Sequence, residues 1–286
     1  MKMQKLKYPV RCLVLMFIAA VSAAAQGVPR DQCFPFEKLS AADRKIAEEL
    51  LLKALDEAAL YTFVGNIKAL STGIKSFQVT AALPRISSEE AAKISKELSA
   101  KNEKDLTPQQ RSDLNTAKNA LERQKVLDDI SAVRRALAQW RCGDDIFAAV
   151  QHFSSTYTGK RFMDVAVFSR PGLKRVLTEK ADFFSRWGVT PESHPLEVLY
   201  AAEYERSPAR NGAYGYLFGY PDHAVRFFVD AVNEEDLTGK FVTRDFVSIP
   251  TFARETNFFV YAVPKGYQLT AVDTGLRDKA APILAE

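Results

Sequence analysis

Residues 207–233, SPARNGAYGYLFGYPDHAVRFFVDAVN, crowd aromatic side chains between glycines and prolines, and few local structures accommodate that pattern. Ser207 followed by Pro208 has the form of a helix N-cap with proline at the first helical position, where its missing N–H costs nothing. Gly219 stands where a helix C-terminus favours a residue tolerant of a left-handed backbone. Pro221 then opens a second helix with Val225, Phe228, Val229 and Val232 on one face. The expectation is two short helices meeting at a Gly-Tyr-Pro elbow. A rival reading makes Tyr214, Tyr216 and Phe218 one face of a strand, but Gly215 and Gly219 would weaken it. Either way, the cluster of Tyr214, Tyr216, Phe218, Tyr220, Phe227 and Phe228 belongs first to a core.

Residues 1–25 have the form of an export leader. Lys2, Lys5, Lys7 and Arg11 form a basic region, Cys12 to Val21 an apolar run, and Ala23-Ala24-Ala25 a small-residue cleavage site. Ten apolar residues are too few to span a bilayer, and no later stretch approaches about 20. The expected product is an extracytoplasmic chain, periplasmic or secreted, with no membrane span once the leader is gone. The leader holds four of the 39 basic residues and none of the 35 acidic ones, so residues 26–286 carry 35 of each sign. That neutrality gives no global field for nucleic acid or an anionic membrane. An aromatic content of 11% argues against disorder.

Two cysteines remain after the leader, Cys33 and Cys142. In an oxidising compartment the simplest expectation for such a pair is a disulfide. It would tie an N-terminal arm to the end of a long helix.

Ser40 and Asp43 start a helix whose apolar face runs through Ile46, Leu50 and Leu55 and on to Phe63 and Ile67. Phe77 and Val79 alternate with polar residues as a short half-buried strand. Ser87 with Glu90, and Thr107 with Pro108, begin two helices. Residues 87–140 are thus expected to form a projecting helical hairpin, polar at its tip and packed at its base. Asp144 to Phe153 is expected to be a further helix, followed by a loop to Gly159. Residues 162–168, FMDVAVF, are apolar on both faces except for Asp164 and suggest an interior strand. Leu173 to Trp187 has helical spacing. Asn233 to Lys240 is expected to be an acidic loop. Two antiparallel strands follow, Phe241 to Ile249 and Asn257 to Val263, and Thr270 with Asp273 starts a last helix with Val272, Leu276, Ala280 and Ile283 facing inward. The fold class is α+β: a helix-rich single domain over 26–286 with a small, mainly antiparallel sheet.

No nucleophile elbow, zinc-protease helix, phosphate-binding loop or dinucleotide fingerprint occurs, and nothing implies a cofactor or a metal. Ser154, Ser155 and Thr156 lie near His152 without a diagnostic spacing. Glu203 is the most informative candidate. It falls on the apolar stripe of Leu196, Leu199 and Tyr200, so its carboxyl must be paired, hydrogen-bonded or protonated. Arg206, Arg210, Arg226 and Lys68 are candidate cations, and a buried Glu–Arg bridge is the simplest structural outcome. His194 before Pro195 is a helix-start residue. Tyr220, Asp222, His223 and Arg226 cluster where the second elbow helix begins, a place suited to a small anionic ligand unless Asp222 occupies its N–H groups. These residues point first to a non-catalytic protein that binds a small ligand or an envelope protein. A hydrolase-like enzyme using Glu203 with His223 or His194 in an aromatic-lined cleft is the alternative. Docking of a partner on the 87–140 hairpin is a third.

Overall fold

The computed structural model describes residues 36–57, 68–139, 146–250 and 258–285. The leader, the helix continuation through Phe63 and Ile67, and both Cys33 and Cys142 lie outside the described residues.

Ser40 Oγ accepts from Asp43 N at 3.1 Å and starts α1 (Ala41–Glu57). After β1 (Leu70–Ser71) and β2 (Ser76–Thr80) come α2 (Ser88–Ser99), capped by Ser87, and α3 (Pro108–Ala138), capped by a reciprocal Thr107/Gln110 box. Ala91 packs against Ala117 and Ala120 between α2 and α3, and Leu98 against Leu106 and Leu114 nearer the turn. The second half of α3 turns Ile130, Val133 and Ala136 onto the body. The expected hairpin therefore forms, with its base in the core.

The next segment corrects an expectation. Residues from Ile146 onward are a strand, β3 (Ile146–Tyr157), and not a helix. The cause is non-local. A two-residue turn with left-handed Thr158 (φ 49°) and Gly159 (φ 72°) folds β3 back on β4 (Lys160–Ser169). The pairing then runs from Tyr157↔Lys160 to Ile146↔Ser169 and overrides helical propensity. β4 is the interior strand foreseen, buried from Met163 to Ser169. β3 lies along one edge, and β1 and β2 lie in succession along the other, separated by a kink at Gly73 (φ 83°).

Alternation along β4 divides the core. Met163, Val165 and Val167 face α1 and α3, with Ala47, Leu50, Ile130 and Val133. Ala166 and Phe168 face the helices that follow. These are α4 (Arg170–Glu179), a single turn Ala181–Phe184, α5 (Pro195–Glu203) and α6 (Ser207–Leu217). The helical pattern from Leu173 to Trp187 is broken at Lys180. Burying a side chain such as Phe168 or Phe184 contributes about 1.5–3 kcal/mol.

α7 (Asp222–Thr238) follows the elbow and ends at left-handed Gly239 (φ 67°). It absorbs most of the expected acidic loop, because Gly239 and not Asn233 supplies the stop. The elbow forms as foreseen, at Gly219 (φ 79°), though Ser207 sits inside the first turn and Arg206 takes the cap position. β5 (Arg244–Pro250) and β6 (Phe258–Pro264) pair antiparallel and pack on α7 and on α8 (Ala271–Ala285) through Ala224, Val247, Ile249, Tyr261 and Ala280. α8 keeps the expected face at Leu276 and Ala280, but Val272 is 55% exposed and Asp273 is buried in its place at the first turn. The fold is helix-rich α+β with small antiparallel sheets. Among the described residues no helix is long and apolar enough to cross a membrane.

Candidate functional site

Glu203 ends α5 and is 2% exposed, as its place on the apolar stripe requires. Its partners are neutral donors and not the expected arginine. Oε1 accepts from Ser154 N at 2.8 Å and Ser154 Oγ at 2.9 Å, and Oε2 accepts from the Tyr214 hydroxyl. A bulge brings Ser154 there. Between the pairs His152↔Met163 and Thr156↔Arg161 the register shifts, which frees Ser154 from the ladder and aims it at α5. Arg161 Nη1 satisfies the bulge carbonyls of Phe153 (3.1 Å) and Ser154 (3.0 Å).

Tyr214 connects this acid to a cleft. Gln151 Nε2 donates to its oxygen at 2.5 Å, and its ring stacks on Phe218 with centroids 5.6 Å apart. Burial and the bond to Glu203 raise the pKa of its phenol, so the group stays protonated. The cleft has a volume of about 280 Å³ and lies between α6, the start of α7 and the β5–β6 hairpin. Tyr214, Phe218, Tyr220, Phe228, Phe246 and Tyr261 supply most of its wall, with Gly215 and Val225 where the two elbow helices touch. Among the described residues that line it, none carries a formal charge. Among the described lining residues, Asn211, whose Nδ2 also donates to Ser207 Oγ at 3.3 Å, and Tyr220 are the other polar side chains, while the hydroxyls of Tyr214 and Tyr261 are committed elsewhere.

Tyr261 is anchored as Tyr214 is, by a buried carboxylate behind it. Its hydroxyl donates to Asp273 Oδ1 at 2.5 Å. Asp273 Oδ2 accepts from Thr270 N and Oγ1, both at 2.7 Å, and from Tyr267 Oη at 2.8 Å. Burial pushes this carboxyl up, but the bonds from Tyr261, Thr270 and Tyr267 prevail and hold it well below the usual carboxylate range. Burial and Asp273 together raise the pKa of the Tyr261 phenol.

The residues singled out in the sequence divide between these places. His223 stacks on Tyr267 (5.2 Å, 15°), and its Nε2 lies 3.0 Å from Tyr267 Oη and 3.3 Å from Asp273 Oδ1. His194 caps α5 as foreseen, accepting from Leu196 N at 3.3 Å, with its ring edge-on to Phe147 at 4.9 Å. Glu203 makes its bonds to Ser154 and Tyr214, so the structure does not hydrogen-bond it to either histidine. Tyr220 lines the cleft against Phe259 and Tyr261, and burial raises its phenol pKa. Asp222 is taken by Lys180 Nζ at 2.6 and 2.7 Å, and Arg226 reaches it at 3.6 Å while staying 73% exposed. Asp222 thus pairs with Lys180 and does not cap the N–H groups of α7, where no side-chain cap forms. His152 faces the other side of the sheet, with Nε2 3.1 Å from Arg134 Nη2. Burial, then Arg134 and Arg161, push its pKa down. Among the described residues no cluster of His, Cys, Asp and Glu is arranged to hold a metal ion.

Sequence reasoning missed Gln151, Ser154 and Asp273 as anchors of the cleft walls. Asp273 stood out only as a helix-start residue, and Gln151 was hidden by the helical reading of its segment. Comparison with protein-family models, with curated proteins and with solved structures finds no match.

Proposed function

We propose that this is an exported binding protein without catalytic activity, whose cleft between α6, α7 and the β5–β6 hairpin holds a small, uncharged, largely apolar ligand. The observation that carries the reading is the cleft: about 280 Å³, walled by aromatic faces, with Asn211 and the Tyr220 hydroxyl as its orienting groups. That is near the lower end of the size of small-molecule sites, which are mostly apolar with a few placed polar groups. A charged ligand would lose its hydration there with no charged lining residue to compensate. The carboxyls near the cleft are behind phenol rings and already hydrogen-bonded, which suits walls better than proton transfer to a substrate. Export rests on the leader pattern of residues 1–25.

The uncharged fluorescent probe 1-N-phenylnaphthylamine tests the site. Saturable binding with enhanced, blue-shifted emission is expected. Val260→Trp, which fills the cleft from its hairpin wall, should weaken that binding at least tenfold while leaving the melting temperature within a few degrees. Absence of saturable binding, or wild-type affinity in a folded Val260→Trp protein, would sink the assignment.

A further inference from the structure

Gln151 and Asp164 are directly opposed across the β3–β4 ladder, 0% and 7% exposed, on the face that packs against α5 and α6. Gly73 N donates to Asp164 Oδ2 at 2.7 Å. Among the described residues the other oxygen, Oδ1, has no partner, and neither has Gln151 Oε1. Two buried acceptors on opposed residues, each lacking a donor, are an uncompensated desolvation on both strands. The amide of Gln151 is oriented by its far end, because Nε2 gives to Tyr214. One proton on Asp164 Oδ1 would satisfy both orphan oxygens together.

We propose that Asp164 is the proton-carrying end of a one-directional donor chain, Asp164 to Gln151 to Tyr214 to Glu203, which joins the sheet interior to the cleft wall and makes ligand affinity pH-dependent. Its last clause rests on the ligand-binding reading given above; the chain itself does not.

Two links donate in the same sense, Gln151 Nε2–H to Tyr214 Oη and Tyr214 O–H to Glu203 Oε2, and a proton on Asp164 Oδ1 would add the third by donating to Gln151 Oε1. The environment of Asp164 favours the proton. Burial pushes its pKa up to about 6, against the bond from Gly73 N and the opposing pull of the nearby Ser76, Val165 and Lys75 donors. The charged and titratable groups on the flanking elements are few. Lys75 on the edge segment has its Nζ on Glu49 at 2.9 Å. Arg175 comes from α4, Tyr214 from α6 and Glu203 from α5, the last two forming the far end of the chain. Lys68 lies over the Phe218 ring at 5.3 Å, beyond the Tyr214–Phe218 stack.

When the proton leaves Asp164 for solvent, a carboxylate faces Gln151 Oε1. Rotation of the amide by half a turn then presents Nε2 to Asp164 and Oε1 to Tyr214. The Tyr214 O–H swings from Glu203 to Gln151, and Glu203 Oε2 loses that donor. Tyr214 is released from α5 on the side that holds its ring in the cleft wall, so ligand binding weakens.

Two readouts on the whole protein separate the steps. The first is the carbon resonance of Tyr214 Cζ in protein labelled with 13Cζ-tyrosine, assigned with Tyr214→Phe and titrated from about pH 4.5 to 8. The second is the dissociation constant of 1-N-phenylnaphthylamine over the same range. Expected is a one-proton transition near 6 in the resonance, with the dissociation constant rising at least threefold across it. Asp164→Asn carries a permanent N–H donor and should hold both readouts at their low-pH values. Gln151→Met breaks the chain at its middle and should flatten the Tyr214 response. A Tyr214 resonance that ignores pH, or that still titrates in either variant, overturns the chain. A titrating resonance beside a constant dissociation constant overturns the coupling to ligand. Failure of the probe to bind at any pH overturns the ligand reading and the coupling with it, while the resonance still decides the chain.

Discussion

Asp164 and Asp273 are almost equally inaccessible, yet their neighbours drive them in opposite directions. Asp273 collects donors from Tyr261, Thr270 and Tyr267, and its carboxylate is stabilised despite burial. Asp164 has the Gly73 N–H on one oxygen and an orphan on the other, and burial prevails. The signs of their stability contributions follow. Asp164 binds its proton more tightly folded than unfolded, so its contribution is whole below about pH 4 and is lost as pH rises through about 6. The loss approaches about 3 kcal/mol, because a tenfold change in proton affinity between the folded and unfolded chain is worth about 1.4 kcal/mol. Asp273 does the reverse: its contribution is present above the unfolded value and is lost only as pH falls through a folded value below the usual carboxylate range. Urea unfolding at pH 4.5 and pH 7.5 should therefore show the protein less stable at the higher pH. Asp164→Asn should remove most of that step by raising stability at pH 7.5. Equal stability of wild type at the two pH values would contradict this account of the buried pair.

At the scale of elements, the elbow depends on how closely α6 approaches α7. A Cβ added at Gly215 would stand 2.8 Å from Val225 Cγ2 and 3.3 Å from Cγ1. Val225 is buried and β-branched, so it has little freedom to move aside. Gly215→Ala gains up to about 1 kcal/mol of helix propensity but overpacks the contact by about 1–3 kcal/mol. The expected net is a loss of about 1–2 kcal/mol by chemical denaturation. Val225→Ala on the same chain should recover part of it by making room, and a double mutant less stable than the sum of the single changes would refute the steric cause. The elbow was legible in the sequence because its determinants are local: Pro208 early in α6, left-handed Gly219 between the helices, and Pro221 before Asp222. β3 was not legible, because IFAAVQHF becomes a strand only by pairing with β4. The candidate site divides in the same way. Glu203 was visible from its own helix. Its partner Ser154 is 49 residues away, and the Gln151–Tyr214 bond spans 63, so no local pattern could reveal either.

At the scale of the whole chain, the central strand holds the layers together. β4 gives one face to α1 and α3 and the other to α4, α5 and α6, and β5–β6 with α7 completes the cleft, with α8 packed on the hairpin. The interior character of β4 could be read from its composition; which helices would cover each face could not, since that depends on turns such as Thr158-Gly159. The arrangement also bears on the expected cross-link. Arg135 Nη2, near the end of α3, lies 3.2 Å from Asp43 Oδ1 in the first turn of α1. Phe36 packs on the core between these helices, and its carbonyl accepts from Arg44 Nη2 at 2.7 Å. Cys33 is three residues before Phe36, and Cys142 is seven after Arg135. We propose that the two sulfurs meet across these short segments. Closing a loop of about 100 residues is worth roughly 4–5 kcal/mol in the chain-entropy model, less any strain. Protein recovered from outside the cytosol should therefore begin at Gln26, and its mass should show two alkylated cysteines only when reduction precedes alkylation. The reduced form should melt well below the oxidised one. Two thiols that alkylate fully in the unfolded chain without reductant would exclude the cross-link, and a mature protein that retains residues 1–25 would exclude the export that makes it possible.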